Sequence, residues 1–379
     1  MSRLEELIAE LCPDGVEYKK ISSVYLRLKG TPITAGKMKE IENPMGEIRV
    51  FAGGKTVINA NEKDIPNANI TNVPSVLIQS RGLIDFIYYE KPFTFKNEMW
   101  AYTSDEKISV KYLFYVLKNN VEYFRDSASG MGSLPQISLS ITEDFKIPVP
   151  PLEIQSEIVR ILDAFSELKA ELKAELKARK EQYEYYLKIL AGSENNAKMK
   201  RKPLCEIAEI GTGSSNTNEG LEIGTYPFFV RSQEVLRKDE YEFDETAIIT
   251  SGDGVGVGKI LHYVEGKYAL HQRAYRIHII DDKVLPKFFY YYMKGTFLDY
   301  IKKECFHSSV TSIRRPMMNK YPVPIIPIEE QKRIVSILDN YDKLCSSLTS
   351  GLPAEIEARE KQYEYYRDLL LTFKPKVTA

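Results

Sequence analysis

Apolar residues recur between residues 152 and 180 with the period of an α-helix. Ile154, Ile158, Ile161, Phe165, Leu168, Leu172 and Leu176 are separated by 4, 3, 4, 3, 4 and 4 positions, and from Glu167 onward Glu and Lys predominate between them. That spacing lays one apolar stripe along a single helix face. Prolines stand just before it and Glu153 lies in its first turn, where a helix tolerates the ring and its dipole favours a carboxylate. The same arrangement returns with Glu329, followed by a stripe of Ile334, Ile337, Tyr341, Leu344 and Leu348. There "SGLP" (350–353) should break or kink the helix before it resumes at Ala354. Two such stripes on one chain predict an antiparallel pair in which each helix buries the other.

Other stretches follow a different pattern. "SVLIQSRGLIDFIYY" (75–89) and "AIITSGDGVGVGKILHYV" (247–264) are apolar, β-branched and aromatic runs interrupted by glycines, which predicts strands joined by tight turns. "YALHQRAYRIHII" (268–280) alternates as one strand would. The fold class predicted is α+β: two globular regions, 1–150 and 198–326, separated by helical regions at 151–197 and 327–379 that form an antiparallel coiled-coil spacer.

The chain is an internal duplication. Pro151, Glu153, Gln155, Ile158, Val159, Ile161, Leu162 and Asp163 recur 176 positions later as Pro327, Glu329, Gln331, Ile334, Val335, Ile337, Leu338 and Asp339. "QYEYY" occurs at 182–186 and again at 362–366. A looser echo links "VKYLFYVLK" (110–118) to "LPKFFYYYMK" (285–294). "ELKAELKAELKA" (167–178) is a smaller repeat inside the first helix; each unit adds roughly 6 Å of helix. A tandem duplication folds naturally about an approximate two-fold axis.

Composition narrows the classes of function. The 52 basic and 53 acidic residues leave a net charge of -1, so any nucleic-acid binding has to come from local placement of charge. No apolar run reaches a membrane-spanning length and "MSRLEELIAEL" is charged where a signal peptide would be apolar, which predicts a cytoplasmic protein. Cys12, Cys205, Cys305 and Cys345 stand singly, and His262, His271, His278 and His307 lack zinc-ligand spacing, so neither disulfide nor metal is expected.

"SGDGVGVGKI" (251–260) fails as a phosphate loop, because Asp253 and Ile260 occupy the positions of the first glycine and the Ser/Thr of a Walker motif. It fails as a dinucleotide motif at Val257. Asp14 and Glu17 in "PDGVEYKK" are too close in sequence to share a nuclease metal from adjacent strands. The Pro-Pro-Tyr or Pro-Pro-Phe signature of an adenine methyltransferase is missing. No cofactor and no catalysis are expected. Two other classes stay open, a fused methyltransferase or nuclease and a coiled-coil adaptor with no DNA role.

The proline-led "LEIQSEIVRILD" and "EEQKRIVSILD", with "GLPAEIEARE" and the twin "QYEYY", resemble the helical repeats of the specificity (S) subunit of Type I restriction-modification enzymes. The resemblance runs along the whole chain as target recognition domain, helical repeat, target recognition domain, helical repeat. It implies a subunit without activity of its own that binds double-stranded DNA at a bipartite site. It also implies two methyltransferase (M) subunits as partners, with nuclease-translocase (R) subunits added in the full complex.

For DNA contact the candidates are Gln79, Ser80, Arg81 and Gly82 with Lys96 and Asn97 in the first half. In the second they are Ser251, Asp253, Lys259, His271, Gln272, Arg273 and Tyr275. Arg and Lys suit guanine edges, Asn and Gln adenine, and Lys259 a phosphate. Aligning "FTFKNEMW" with "YALHQRAY" sets Lys96, Asn97 and Glu98 opposite His271, Gln272 and Arg273. For partner binding the candidates are Tyr183, Tyr185, Tyr186, Tyr363, Tyr365 and Tyr366. Tyr183 and Tyr186 fall on the buried stripe, and Tyr185 on another face.

Overall fold

The computed structural model describes residues 3–130, 134–192, 200–304, 312–347 and 349–376. Leu348, Cys305 and His307 lie outside the described residues. The strands are β1 (Tyr18–Lys20), β2 (Leu26–Lys29), β3 (Ile48–Phe51), β4 (Val57–Ala60), β5 (Ser75–Gln79), β6 (Asp85–Tyr89), β7 (Phe93–Phe95), β8 (Trp100–Thr103) and β9 (Lys146–Pro148). Then come β10 (Arg201–Pro203), β11 (Ala208–Thr212), β12 (Tyr226–Phe229), β13 (Val235–Lys238), β14 (Phe243–Asp244), β15 (Ala247–Ser251), β16 (Leu261–Val264), β17 (Lys267–Leu270), β18 (Ala274–Ile279) and β19 (Pro322–Pro324). The helices are α1 (Arg3–Leu11), α2 (Ile21–Val24), α3 (Ala35–Ile41), α4 (Lys107–Asn119), α5 (Val121–Asp126), α6 (Leu139–Glu143), α7 (Leu152–Gly192), α8 (Pro286–Glu304), α9 (Arg315–Asn319), α10 (Ile328–Ser346) and α11 (Leu352–Leu370).

Two compact units result. Unit 1 contains residues 1–171 together with 357–379, and unit 2 contains 172–356. Unit 1 has one sheet in the order β2-β8-β5-β6 and another in the order β4-β3-β7; unit 2 repeats the first as β11-β18-β15-β16 and the second, with β14 added at its edge, as β13-β12-β17-β14. The strand order is thus duplicated although the sequence of the globular parts scarcely is. The expected strand-turn-strand runs at 75–89 and 247–264 are present as β5-β6 and β15-β16. Residues 268–280, expected as one strand, are two, because His271–Arg273 turns the chain. Ala274 N–H returns to His271 O at 2.9 Å, and Arg273 N–H donates to His271 Nδ1 at 2.9 Å. A histidine ring holds this turn, so neither Gly nor Pro marks it.

The duplicated helical motif has a structural reason. Gln155 and Gln331 are buried, and their amides donate to Pro150 O and Ile326 O, both at 2.8 Å, tying the proline-rich lead to the first turn. Tyr115 on α4 donates to Asp163 at 2.5 Å, and Tyr291 on α8 donates to Asp339 at 2.5 Å. Lys111 reaches Asp163 at 2.7 Å and Lys287 reaches Asp339 at 3.8 Å. These bonds lock each globular part to the helix that follows it.

The helices pair antiparallel as expected, α7 with α11 and then with α10, but the two stripes do not simply face each other. Ile154 and Ile158, with Val159 and Leu162, bury in the core of unit 1's own globular part. Phe165 meets α11, stacked on Tyr366 at 5.6 Å and edge-on to Tyr363 at 6.3 Å, and Lys169 pairs with Glu360 farther along. Helix α10 instead lies antiparallel to the later part of α7 within unit 2, where Leu338 shares a buried cluster with Tyr183 and Leu187. Length explains the division. At 41 residues α7 runs about 60 Å, whereas α10 and α11, at 19 residues each, run about 28 Å. The break around "SGLP" is present, with the helix resuming at Leu352 rather than Ala354.

Residues 371–376 complete unit 1. Leu371 and Phe373 are buried, Val16 N–H donates to Lys374 O at 2.8 Å, Lys376 N–H to Val16 O at 2.9 Å, and the Tyr18 hydroxyl to Phe373 O at 3.0 Å.

Candidate nucleic-acid interface

In each unit the turns after β3, β5 and β7, or after β12, β15 and β17, converge through backbone bonds. In unit 1, Lys96 N–H donates to Phe51 O at 2.9 Å, and Ile137 N–H to Ser80 O at 2.9 Å. In unit 2, His271 N–H donates to Phe229 O at 2.9 Å, and Ile313 N–H to Gly252 O at 2.8 Å. The bridges Arg81–Gln136 and Asp253–Ser312 also match. Gly82 and Gly254 both adopt left-handed backbone, φ 78° and 83°, immediately after Arg81 and Asp253. The scaffold is therefore the same in both units, and the aligned turns Lys96–Glu98 and His271–Arg273 are structurally equivalent.

Several expected residues support these turns from inside. Gln79 is buried with its amide on Gly54 O at 2.5 Å, and Ser80 is buried with its hydroxyl on Glu98 O at 2.5 Å. Ser251 is buried on Asp253 O at 2.7 Å, and half-buried Tyr275 reaches Ile313 O at 3.4 Å. His271 is buried, and burial first, then the Arg231 charge, pushes its pKa down, which keeps the ring neutral and Nδ1 free to accept.

The exposed residues differ in chemistry between the units. In unit 1 Arg81 and Asn97 are exposed, and Lys96 pairs with Glu98 at 2.8 Å. A cleft of about 690 Å³ beside them is lined by Arg27, Asn69, Asn97, Glu98, Trp100 and Gln136, among others. In unit 2 Gln272, Arg273 and Lys259 are exposed. Gln272 donates to Asn216 at 2.5 Å, and Lys259 makes no ion pair among the described residues. Asp253 takes Arg231 at 2.8 Å and Arg273 at 3.2 Å. Its partial burial opposes ionisation, but the two guanidiniums outweigh that and hold the carboxyl below its ordinary pKa. The sequence reading missed Arg231, which lies on a different turn 22 positions from Asp253; no local signal marks it.

A second pair of surfaces lies on the helices. Tyr183 is 9% exposed, with the Lys294 ammonium 5.0 Å over its ring. Tyr186, expected to be buried, is 38% exposed, because it leans on Tyr341 at 5.4 Å from the rim of a groove lined by Ile189, Ile334, Ile337 and Leu338. Unit 1 has the counterpart: Tyr363 is half-buried, and Tyr366 rims a groove with Ile161, Phe165, Leu369, Leu4 and Ile8. Tyr185 and Tyr365 are 62% and 65% exposed. Ile189 and Leu369, each three residues after a rim tyrosine and more than half exposed, were not foreseen.

Among the described residues no helix is long and apolar enough to cross a membrane, and no His, Cys, Asp and Glu side chains cluster as metal ligands. The family model of the Type I restriction modification DNA specificity domain matches the chain twice, at residues 13–179 and 195–358. The specificity subunit of the Type I restriction enzyme EcoR124I/EcoR124II of Escherichia coli is 33% identical over 367 residues, covering 88% of this chain and 89% of that one. A type I specificity subunit of Haemophilus influenzae is 30% identical over 309 residues, covering 74% and 77%. The crystal structure of the S subunit of a Type I restriction-modification system from M. genitalium has the same fold, with a TM-score of 0.62 at 17% identity over 94% of this chain and 95% of that one.

Proposed function

Because the chain belongs to the Type I restriction-modification DNA specificity family, we propose that it reads a bipartite double-stranded DNA site and carries two methyltransferase subunits, to which nuclease-translocase subunits add. Residues 1–150 and 198–326 are the two recognition domains, and 151–197 and 327–379 are the helical regions that hold them and dock the partners. The chain performs no chemistry itself and works in the cytoplasm. Arg81, Asn97, Gln272, Arg273 and Lys259 face the DNA, whereas Gln79, Ser80, Ser251 and His271 keep the turns in shape. The tyrosines of the two "QYEYY" strings, with Ile189 and Leu369, border the docking grooves.

The observation that carries this reading is the contrast between scaffold and surface. The turns share their backbone bonds in both units, yet equivalent positions hold opposite charges: exposed Arg81 against half-buried Asp253, and half-buried Glu98 against exposed Arg273. One fold thus presents two chemistries, as two half-sites of different sequence require. The test is to exchange residues 198–320 for the corresponding segment of a relative, co-express the chain with its methyltransferase subunit and map the methylated sequence. One half of the site should change and the other persist. Change in both halves, or in neither, would overturn the assignment.

A further inference from the structure

The turns of unit 2 hold one feature that unit 1 lacks. Asp253 lies between two arginines, and each of its oxygens is taken, Oδ1 by Arg231 Nη1 and Oδ2 by Arg273 Nη1. One acceptor site on each oxygen is thereby filled. Each guanidinium carries five N–H donors and gives one to Asp253, so four remain on each, in the planar fork that matches two acceptors on one edge. The arginine side chains are 39% and 63% exposed, and the carboxylate between them only 25%.

The backbone fixes all three residues. Gly252 N–H donates to Arg273 O at 2.9 Å, Arg273 N–H to His271 Nδ1 at 2.9 Å, and the Ser251 hydroxyl to Asp253 O at 2.7 Å. In unit 1, Phe51 pairs with Phe95 as Phe229 pairs with Leu270, which sets Gly53 at the place of Arg231. Arg81 and Glu98 then stand for Asp253 and Arg273. Among the described residues of these turns, two arginines about one aspartate occur in unit 2 and not in unit 1.

We propose that Arg231 and Arg273 read guanine in the half-site served by unit 2, with Asp253 as the positioning residue that holds both forks toward the DNA. The O6 and N7 acceptors of guanine in the major groove suit a guanidinium fork. Two such forks tied to one carboxylate select two neighbouring guanines. Preorganisation by Asp253 lowers the ordering cost that a free arginine would meet on binding.

This inference rests on the DNA reading above, and one experiment separates the two. The full chain, co-purified with its methyltransferase subunit, selects from a pool of duplexes with randomised sequence at fixed salt, and the bound pool is sequenced. The unaltered chain should enrich a motif of two separated halves. Arg231→Ala and Arg273→Ala should each lose preference for one guanine in the same half, by roughly 5- to 150-fold, with the other half unchanged. Asp253→Asn should relax both guanines together, and Asp253→Glu should restore part of the preference. The Asp253→Asn chain should still enrich the other half of the motif, which distinguishes a positioning role from loss of the fold. If the unaltered chain enriches no motif, the DNA reading itself falls and this one with it. If the motif appears but survives Arg231→Ala, Arg273→Ala and Asp253→Asn, or the positions relaxed hold bases other than guanine, the DNA reading stands and the guanine fork is wrong.

Discussion

Replacing Tyr115 by Phe deletes one hydroxyl and almost nothing else, at a point where the cost can be worked out. That hydroxyl donates to Asp163 at 2.5 Å from a ring that is 3% exposed. A hydrogen bond to a charged group contributes about 1.5–3 kcal/mol. Two features place this one toward the lower end. Lys111 still holds the other Asp163 oxygen at 2.7 Å, and the carboxylate is 27% exposed, so water replaces part of what the tyrosine gave. The expected loss is about 1.5 kcal/mol. Trp100 is the sole tryptophan of the chain and lies on β8 in unit 1, so its fluorescence follows this unit. At a urea slope of about 2 kcal/mol/M, the midpoint should fall by roughly 0.7 M. Asp163→Asn and the double variant complete a cycle, whose coupling energy should be about 1 kcal/mol or more. If the two single losses simply add, the bond does not hold α4 to α7 and the argument fails.

The twin substitution Tyr291→Phe should cost less, about 1 kcal/mol by circular dichroism, because Asp339 is 47% exposed and better served by water; a larger loss than at Tyr115 would contradict this. Gly30→Ala and Gly213→Ala should each lower Tm by roughly 5–10 °C, since an added Cβ would lie 2.4 Å from Phe95 O and 1.8 Å from Leu270 O, and an unchanged Tm would refute the close approach. Stability should hold from pH 7 to 9 and decline above about pH 10. Burial pushes Tyr25 and Tyr102 up to about 12, so each stays protonated in the fold after its unfolded counterpart ionises, and each adds roughly 1.4 kcal/mol per pH unit to the loss; a urea midpoint still flat at pH 11.5 would disprove it. Lys259→Ala should weaken specific and random duplex alike and flatten the salt dependence by about one ion, so a selective loss would reassign Lys259 as a base reader.

The helical half of the fold was legible because its rules are local. The stripe from Ile154, the proline-led first turns and the break at "SGLP" are each written in neighbouring residues, and the copy 176 positions later repeats them. Which stripe covers which was not legible, because α7 alone gives no sign that two shorter helices divide its length. Equivalence of the Lys96–Glu98 and His271–Arg273 turns emerged from a weak alignment of flanking aromatics, yet the turn at His271 was hidden, since its closing bond comes from an imidazole in place of a glycine. The turns were legible as places where polar side chains gather, but which of those side chains face outward was not. Gln79, Ser80 and Ser251 have the chemistry of base readers, but a polar side chain beside a turn is equally a plug for backbone groups, and only burial separates the two roles. Arg231 was invisible because its partner lies on another turn.

The six residues that close unit 1 have a consequence for how the protein is made. Val16 and Tyr18 leave the ribosome early, but the Lys374, Lys376 and Phe373 groups that bond them are translated more than 350 residues later. Unit 2, by contrast, is one uninterrupted stretch from 172 to 356. Domains fold as units when all their parts have emerged. The first unit to begin synthesis is therefore the last to be finished, and until then it waits with the apolar surface meant for Leu371 and Phe373 uncovered. A premature stop near residue 370 should injure the beginning of the chain, leaving its middle intact.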